Sequence, residues 1–284
     1  MSVWLERRVI AFAHQGGSFE GPSSTLVAIE RALAAGASAI ELDVHATKDR
    51  AVVVSHDATV DRTTNHRGAI SDLTLSQLRD MDNAYWWIEG ETVTPGREPS
   101  HYLLRGLAPR DRRYGFATFE EVWRAFPGVL YNLDIKGTSP GVEGYEELLA
   151  SELRRLGATE SVIVASFHDD ALARFRVLAP EVATSAGTRE CADFFFSLAE
   201  KSPRVAPVCA FQVPVSFGGH EVITERFVDV AHRHAVAVHA WTVNDIAEMD
   251  RLIDLGVDAV ISDRPGVLAN LLKRRGLAWG GELI

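Results

Sequence analysis

Hydrophobic positions along this chain come in short bursts whose period changes repeatedly. Runs rich in Val, Ile and Ala alternate with segments in which apolar side chains recur at i, i+3 and i+4, the pattern of βα units around a parallel sheet. Strand candidates occur at 9–14 (VIAFAH), 39–44 (AIELDV), 52–56 (VVVSH), 130–135 (LYNLDI), 162–167 (VIVASF), 182–186 (VATSA), 208–214 (VCAFQVP), 236–241 (VAVHAW) and 259–263 (AVISD). Amphipathic helices fill most of the gaps, as in 25–36 (TLVAIERALAAG), where Leu26, Ile29, Ala32 and Leu33 form one apolar face. The second and third candidates are separated only by HATKDRA, too short for a helical crossover. They predict a local hairpin, which leaves eight parallel places.

Eight βα units predict a (β/α)8 TIM barrel, a fold that closes in about 250 residues as one domain. The 284 residues are therefore read as a single domain, 1–284. A doubly wound open sheet is the alternative, but no Gly-rich dinucleotide loop follows the first strand. Residues 84–116 (AYWWIEGETVTPGREPSHYLLRGLAPRDRRYGF) break the rhythm with Gly, Pro, aromatics and five arginines. They predict an ordered, cap-like insertion after the second strand region.

Composition narrows the class. None of the apolar runs reaches the roughly 20 residues that span a bilayer, so no transmembrane segment is expected. The first residues, MSVWLERRVIAFAH, carry charge where a signal peptide needs its apolar core, which predicts a cytoplasmic protein. Lys and Arg total 29 against 39 Asp and Glu, and the net charge of −10 argues against a nucleic-acid or anionic-membrane binder. Cys191 and Cys209 have no ligand-like spacing and read as two small half-buried side chains.

The strand ends carry the chemistry. In a barrel, the loops after each strand converge on the active-site face. Glu41 and Asp43 are two residues apart, so a strand turns both to one side while Ile40, Leu42 and Val44 take the other. Inward, two such carboxylates repel unless a cation lies between them, and Mg²⁺ or Ca²⁺ is the usual one; outward, they form a solvated pair. Asp134 and Lys136 repeat the spacing, either as an ion pair or as a third metal carboxylate with a positive charge beside a bound anion. His14 and His56 end two other strands. Together with three acids they suggest a general acid and a general base around one divalent metal, a set suited to phosphate-ester hydrolysis. Asp61 and Arg62 are expected to hold their loop, His45 to make a rim hydrogen bond or support the acids, and His168 to stand near the pocket.

The series AHQGG…PSST, IELDVHATKD, VVVSHDATVDRTTN, ISDLTLSQL, NLDIK, WTVN and ISDRP resembles, in order and spacing, the glycerophosphodiester phosphodiesterase family. That resemblance implies a TIM barrel with a cap-like insertion and one divalent cation, Ca²⁺ or Mg²⁺, held by Glu41, Asp43 and Asp134. It puts His14 and His56 at the acid/base positions, Lys136 beside the phosphate and Trp241 in the substrate pocket. Three departures stand out: Gln15 where the family usually has a phosphate-contacting arginine, PSST for PENT, and Asp134 for Glu. The missing charge at Gln15, still a substrate-binding position, would fall to Lys136, the metal and cap arginines such as Arg97, Arg105 or Arg113.

The implied reaction releases glycerol 3-phosphate and an alcohol from a small phosphodiester, by direct attack of water or through a cyclic phosphate. The runs YWW (85–87) and FFF (194–196) hint instead at an apolar channel for a lysophospholipid, the lysophospholipase D-type reaction. A non-catalytic barrel that binds a phosphorylated ligand is the reading from a different class. Oligomeric state is not readable.

Overall fold

The computed structural model describes residues 3–6, 9–136 and 142–277. Eight parallel strands form the barrel: β1 (Ile10–His14), β2 (Ala39–Ala46), β3 (Leu130–Ile135), β4 (Val162–Ala165), β5 (Ala183–Thr184), β6 (Ala210–Pro214), β7 (Ala237–Trp241) and β8 (Ala259–Ser262). They pair in the order β5-β4-β3-β2-β1-β8-β7-β6. The last gap is bridged between Ser185 and Ala210, with Cys209 N–H donating to the Thr184 carbonyl and Ala186 N–H to that of Ala210. The sheet is thus a nearly closed barrel, and the open doubly wound alternative falls away.

Each strand is followed by a helix: α1 (Leu26–Ala35), α2 (Phe119–Ala125), α3 (Tyr145–Leu156), α4 (Asp169–Leu178), α5 (Thr188–Ser197), α6 (Glu225–Arg233), α7 (Ile246–Asp254) and α8 (Pro265–Arg274). The predicted hairpin is present, with Val52–Val54 antiparallel to the end of β2. The apolar face of α1 is wider than its sequence suggests. Val27 and Ala28 are buried with Ile29 and Ala32, whereas Leu26 and Leu33 are only partly covered.

Alternation sorts each strand's side chains. Ile40, Leu42 and Val44 enter the layer between sheet and helices, and Phe12, Ala39, Ile163 and Ala259 fill the barrel interior. Trp4, from the short helix Val3–Glu6, packs under Phe12 and His239 and closes the lower end. Residues 84–116 form a small hairpin, Trp87–Ile88 with Thr92–Val93, and several turns. They dock beside the loop after β1: Trp87 Nε1 donates to the Ser18 carbonyl, and Gly90 N–H to that of Phe19. No helix among the described residues is long and apolar enough to cross a membrane.

Candidate active site

Strand register assembles the site. His14 on β1 is level with Glu41 on β2, which is level with Asn132 on β3; one step higher, Asp43 faces Asp134 across the same pair of strands. All three acids are buried, so the outward, solvated alternative for Glu41 and Asp43 does not hold. Lys136, two residues beyond Asp134, reaches back between the carboxylates, with Nζ 2.7 Å from Asp43 Oδ1 and 3.0 Å from Asp134 Oδ2. Burial works against its ammonium, but the two carboxylates outweigh it and hold the Lys136 pKa above its ordinary value. Glu41 Oε2 accepts from Gln15 N–H at 2.9 Å. Burial first, and the Asp43 charge second, push the Glu41 pKa up; Asp134 is raised chiefly by burial, and the Lys136 ammonium opposes that rise.

Among the described residues, no three His, Cys, Asp or Glu side chains close into a metal cage. The donor set nevertheless fits a hard cation. Asp43 Oδ2 and Asp134 Oδ1 are buried without a hydrogen-bond partner, a costly state that an oxygen-seeking divalent ion relieves.

The two histidine rings are neighbours at this rim, edge-on to one another with ring centroids 6.3 Å apart and planes at 82°. Each is oriented by a carboxylate that the sequence reading left without a site role. His14 Nδ1 lies 2.7 Å from Asp263 Oδ1, and Asp263 also accepts from Ser18 Oγ and Asn244 Nδ2. His56 Nδ1 lies 2.7 Å from Asp57 Oδ1, and Asp57 is clamped by Arg62. With Nδ1 engaged, Nε2 is the nitrogen each ring offers to a substrate. Burial opposes the His14 imidazolium, but Glu41 and Asp263 outweigh it and raise its pKa from 6.5 to about 9. Arg62 and Asp61 hold the loop as expected, the latter by accepting from Gly68 N–H. His45 is buried, and burial lowers its pKa to about 4. His168 lies in a smaller neighbouring depression beside Lys136 and Phe167.

A cavity of about 620 Å³ opens at this rim. His14, His56, the three acids and Lys136 line one side; Trp241, Phe195, Val213 and Val222 line the other. The FFF run divides: Phe194 stacks on Phe211 in the core, Phe195 lines the cavity and Phe196 stands at its exposed mouth. The YWW run does not reach the cavity. Tyr85, Trp86 and Tyr102 enclose the Arg105 guanidinium, and Trp86 Nε1 donates to the Thr64 carbonyl. A second hairpin, Ser216–Phe217 with His220–Glu221, overhangs the cavity instead. Its signal was present as alternating VSF and HEV around a Gly-Gly turn.

The comparisons with known proteins agree with this geometry. Residues 14–267 match the model of the glycerophosphoryl diester phosphodiesterase family. A glycerophosphodiester phosphodiesterase of Caldanaerobacter subterraneus subsp. tengcongensis is 31% identical over 270 residues, covering 95% of this chain and 100% of the relative. The chain belongs to this family. Among solved structures, the glycerophosphoryl diester phosphodiesterase domain of a Mycobacterium tuberculosis protein superposes with a TM-score of 0.74 at 22% identity, over 94% of this chain and 99% of that one. An Oleispira antarctica phosphodiesterase, solved with the product sn-glycerol-3-phosphate, gives 0.67 at 21% identity, over 92% and 96%. These two likenesses bear on the fold.

Family membership makes the chain a phosphoric diester hydrolase and sets aside the non-catalytic binding barrel. Its departures from the family pattern now have positions. Gln15 is buried at a left-handed φ of 53°, with Nε2 3.4 Å from His14 Nε2. Ser23 and Ser24 do not line the cavity. They buttress the loop, Ser24 N–H donating to the Gln15 carbonyl while the Ser23 carbonyl accepts from Asn83. The arginines expected to compensate for Gln15 are engaged elsewhere: Arg97 pairs with Glu91, Arg105 is stacked among aromatics, and Arg113 pairs with Asp111 and Glu30. None of them lines the cavity.

Proposed function

We propose that this phosphodiesterase hydrolyses glycerophosphodiesters to glycerol 3-phosphate and an alcohol, with His14 and His56 as the acid/base pair. The observation that carries the reading is the neighbouring pair of imidazoles, each with Nδ1 held by a carboxylate at 2.7 Å and both lining one cavity. In hydrolysis the water oxygen forms a bond to phosphorus as the bond from phosphorus to the alcohol oxygen breaks. One imidazole takes the water proton, and the other gives a proton to the departing alkoxide. Lys136 sets a positive charge beside the phosphoryl oxygens, and Gln15 offers them an uncharged donor.

Glu41, Asp43 and Asp134 would hold one Mg²⁺ or Ca²⁺, which supplies Lewis-acid polarisation of the phosphoryl oxygens when bound. Support for that assignment is the pair of unpartnered oxygens on Asp43 and Asp134.

A second reading, hydrolysis of lysophospholipids, is favoured by one feature: the apolar side of the cavity formed by Phe195, Val213, Val222 and Trp241. The test is turnover of glycerophosphocholine, glycerophosphoethanolamine and lysophosphatidylcholine by metal-stripped protein, with Mg²⁺ or Ca²⁺ restored. Cation-dependent release of glycerol 3-phosphate from the first two is expected. Activity indifferent to chelation would remove the metal assignment, and release of lysophosphatidic acid alone would select the second reading.

A further inference from the structure

Seven large hydrophobic side chains are exposed among the described residues: Leu103, Phe167, Val177, Leu178, Phe196, Phe217 and Ile246. All three phenylalanines in that set lie on the wall of the same cavity, at 56%, 73% and 77% exposure for Phe167, Phe196 and Phe217. Leaving three benzyl groups in water around a cavity mouth is unfavourable unless something apolar meets them.

The three come from different elements. Phe167 follows β4 and stands edge-on to Trp241. Phe196 ends α5, anchored one position earlier by Phe195 on the cavity wall and two earlier by Phe194 in the core. Phe217 sits on the overhanging hairpin, where Gly218 and Gly219 both take the positive φ that a two-residue turn of this hand requires. Each aromatic is therefore held out by its own rigid support.

We infer that this aromatic rim docks the enzyme on the surface of an uncharged or zwitterionic lipid aggregate, with Phe196 and Phe217 entering the interface. The argument for lipid is continuity: the same wall that carries the exposed rings runs inward to His14, His56 and the acids. A protein seated on the rim would stopper the cavity, whereas a lipid surface would feed it. Charge selects the kind of lipid. Thr188, Ala192 and Gly218 between the rings are uncharged, Arg189 is paired with Asp169 and Asp170, and the chain's net charge of −10 repels an anionic membrane. Aromatic side chains suit the boundary between head groups and acyl chains. What the docked surface delivers depends on the hydrolytic reading; the docking itself does not.

The experiment is co-sedimentation of the full chain with sucrose-loaded phosphatidylcholine vesicles at physiological salt, for the wild type and for F196S/F217S. The wild type is expected to pellet with the vesicles, and the double variant to partition at least ~10-fold less, with an unchanged melting temperature because both rings are exposed. In a separate Phe217→Trp protein, the emission at that position shifts to the blue when the same vesicles are added. Wild type that stays in the supernatant overturns the inference, as does equal pelleting of both proteins. A lipid-free dimer that F196S/F217S disperses would also overturn it, because a second copy of the chain would then cover the rim. Turnover of glycerophosphocholine without vesicles, with the cation restored, is read alongside: its absence in the wild type sinks the glycerophosphodiester reading and leaves the vesicle result standing.

Discussion

Asp263 holds His14 from the far end of the barrel sequence: its Oδ1 lies 2.7 Å from His14 Nδ1, although 249 positions separate the two residues. The carboxylate orients the ring and stabilises its cationic form, and it is itself fixed by Ser18 and Asn244. In Asp263→Asn the charge is gone and one donor must face another donor. Turnover is expected to fall at least ~10²-fold with KM nearly unchanged. The limb of the pH–rate profile that reports His14 should move to lower pH. A purely structural role would leave that limb in place and lower the melting temperature alone.

The imidazoles themselves set a stronger test. His14→Ala and His56→Ala should each lose at least ~10²-fold in turnover, the lower end for a positioned acid or base. Asp57→Asn should lose less than either, because the His56 imidazole is retained and loses only the carboxylate that orients it. Smaller losses in both alanine variants would mean that proton transfer lies elsewhere.

Gly17 explains the abrupt end of the first strand in HQGG. It stands at φ 91°, and a Cβ placed there would lie 2.8 Å from Cγ of Pro265, the first residue of α8. Both glycines of this turn lie against helices, Gly16 facing Ile29 of α1 and Gly17 facing α8. Gly17→Ala is expected to cost about 1–3 kcal/mol, read as a lower denaturation midpoint with unchanged slope.

Much of this was legible because strands obey a two-residue period. Glu41 with Asp43, and Asp134 with Lys136, could each be set on one shared face from spacing alone, though spacing does not say which face, and the hairpin Val52–Val54 followed from a short connection. Tertiary pairing was not legible. Asp263 reads as part of a strand end until β8 is laid beside β1, and the ion-pair alternative for Lys136 names only Asp134 until Asp43 of β2 is found on the same ammonium. Arg97 and Arg105 are held by partners within residues 84–116, and Arg113 by Asp111 and by Glu30 on α1. The expected cap-like insertion is present as an ordered segment whose own rings and acids engage Arg97 and Arg105.

Stability of the metal-free protein should fall as pH rises above about 6.5. Glu41 and Asp134 have pKa values raised above those of ordinary carboxylates, and His14 is raised from 6.5 to about 9. For Glu41 and Asp134 above the ordinary carboxylate range, and for His14 between 6.5 and about 9, the native state binds more protons than the unfolded chain. Buried His45 and His239, lowered to about 4, act the other way between about 4 and 6.5, so the net slope of unfolding free energy against pH is negative from 6.5 to about 9. Asp57 and Asp263 are held below the ordinary carboxylate range, and their contribution is lost on acidification instead. The optimum therefore lies on the acid side of neutrality. Thermal melts in chelator should show a melting temperature that declines from about pH 6.5 to about pH 9. A flat or rising curve over that interval would mean that the buried acids are not paired as described.

On the proposed metal assignment, Lys136 and a divalent cation would compete for the same carboxylates, and this can be separated from catalysis. The ammonium satisfies Asp43 Oδ1 and Asp134 Oδ2, while the opposite oxygens remain without partners. In Lys136→Met the two carboxylates face each other with no cation between them, and removal of one partner from a buried ion pair typically costs about 3–5 kcal/mol. The variant should melt well below the wild type in chelator. Added Ca²⁺ or Mg²⁺ should then raise its melting temperature more than it raises that of the wild type, because no resident ammonium opposes the ion. Turnover should stay low even with the cation present, since the positive charge beside the phosphoryl oxygens is gone. Equal shifts in the two proteins would mean that ion and ammonium occupy different places, and the metal would then have to be sought away from Asp43 and Asp134.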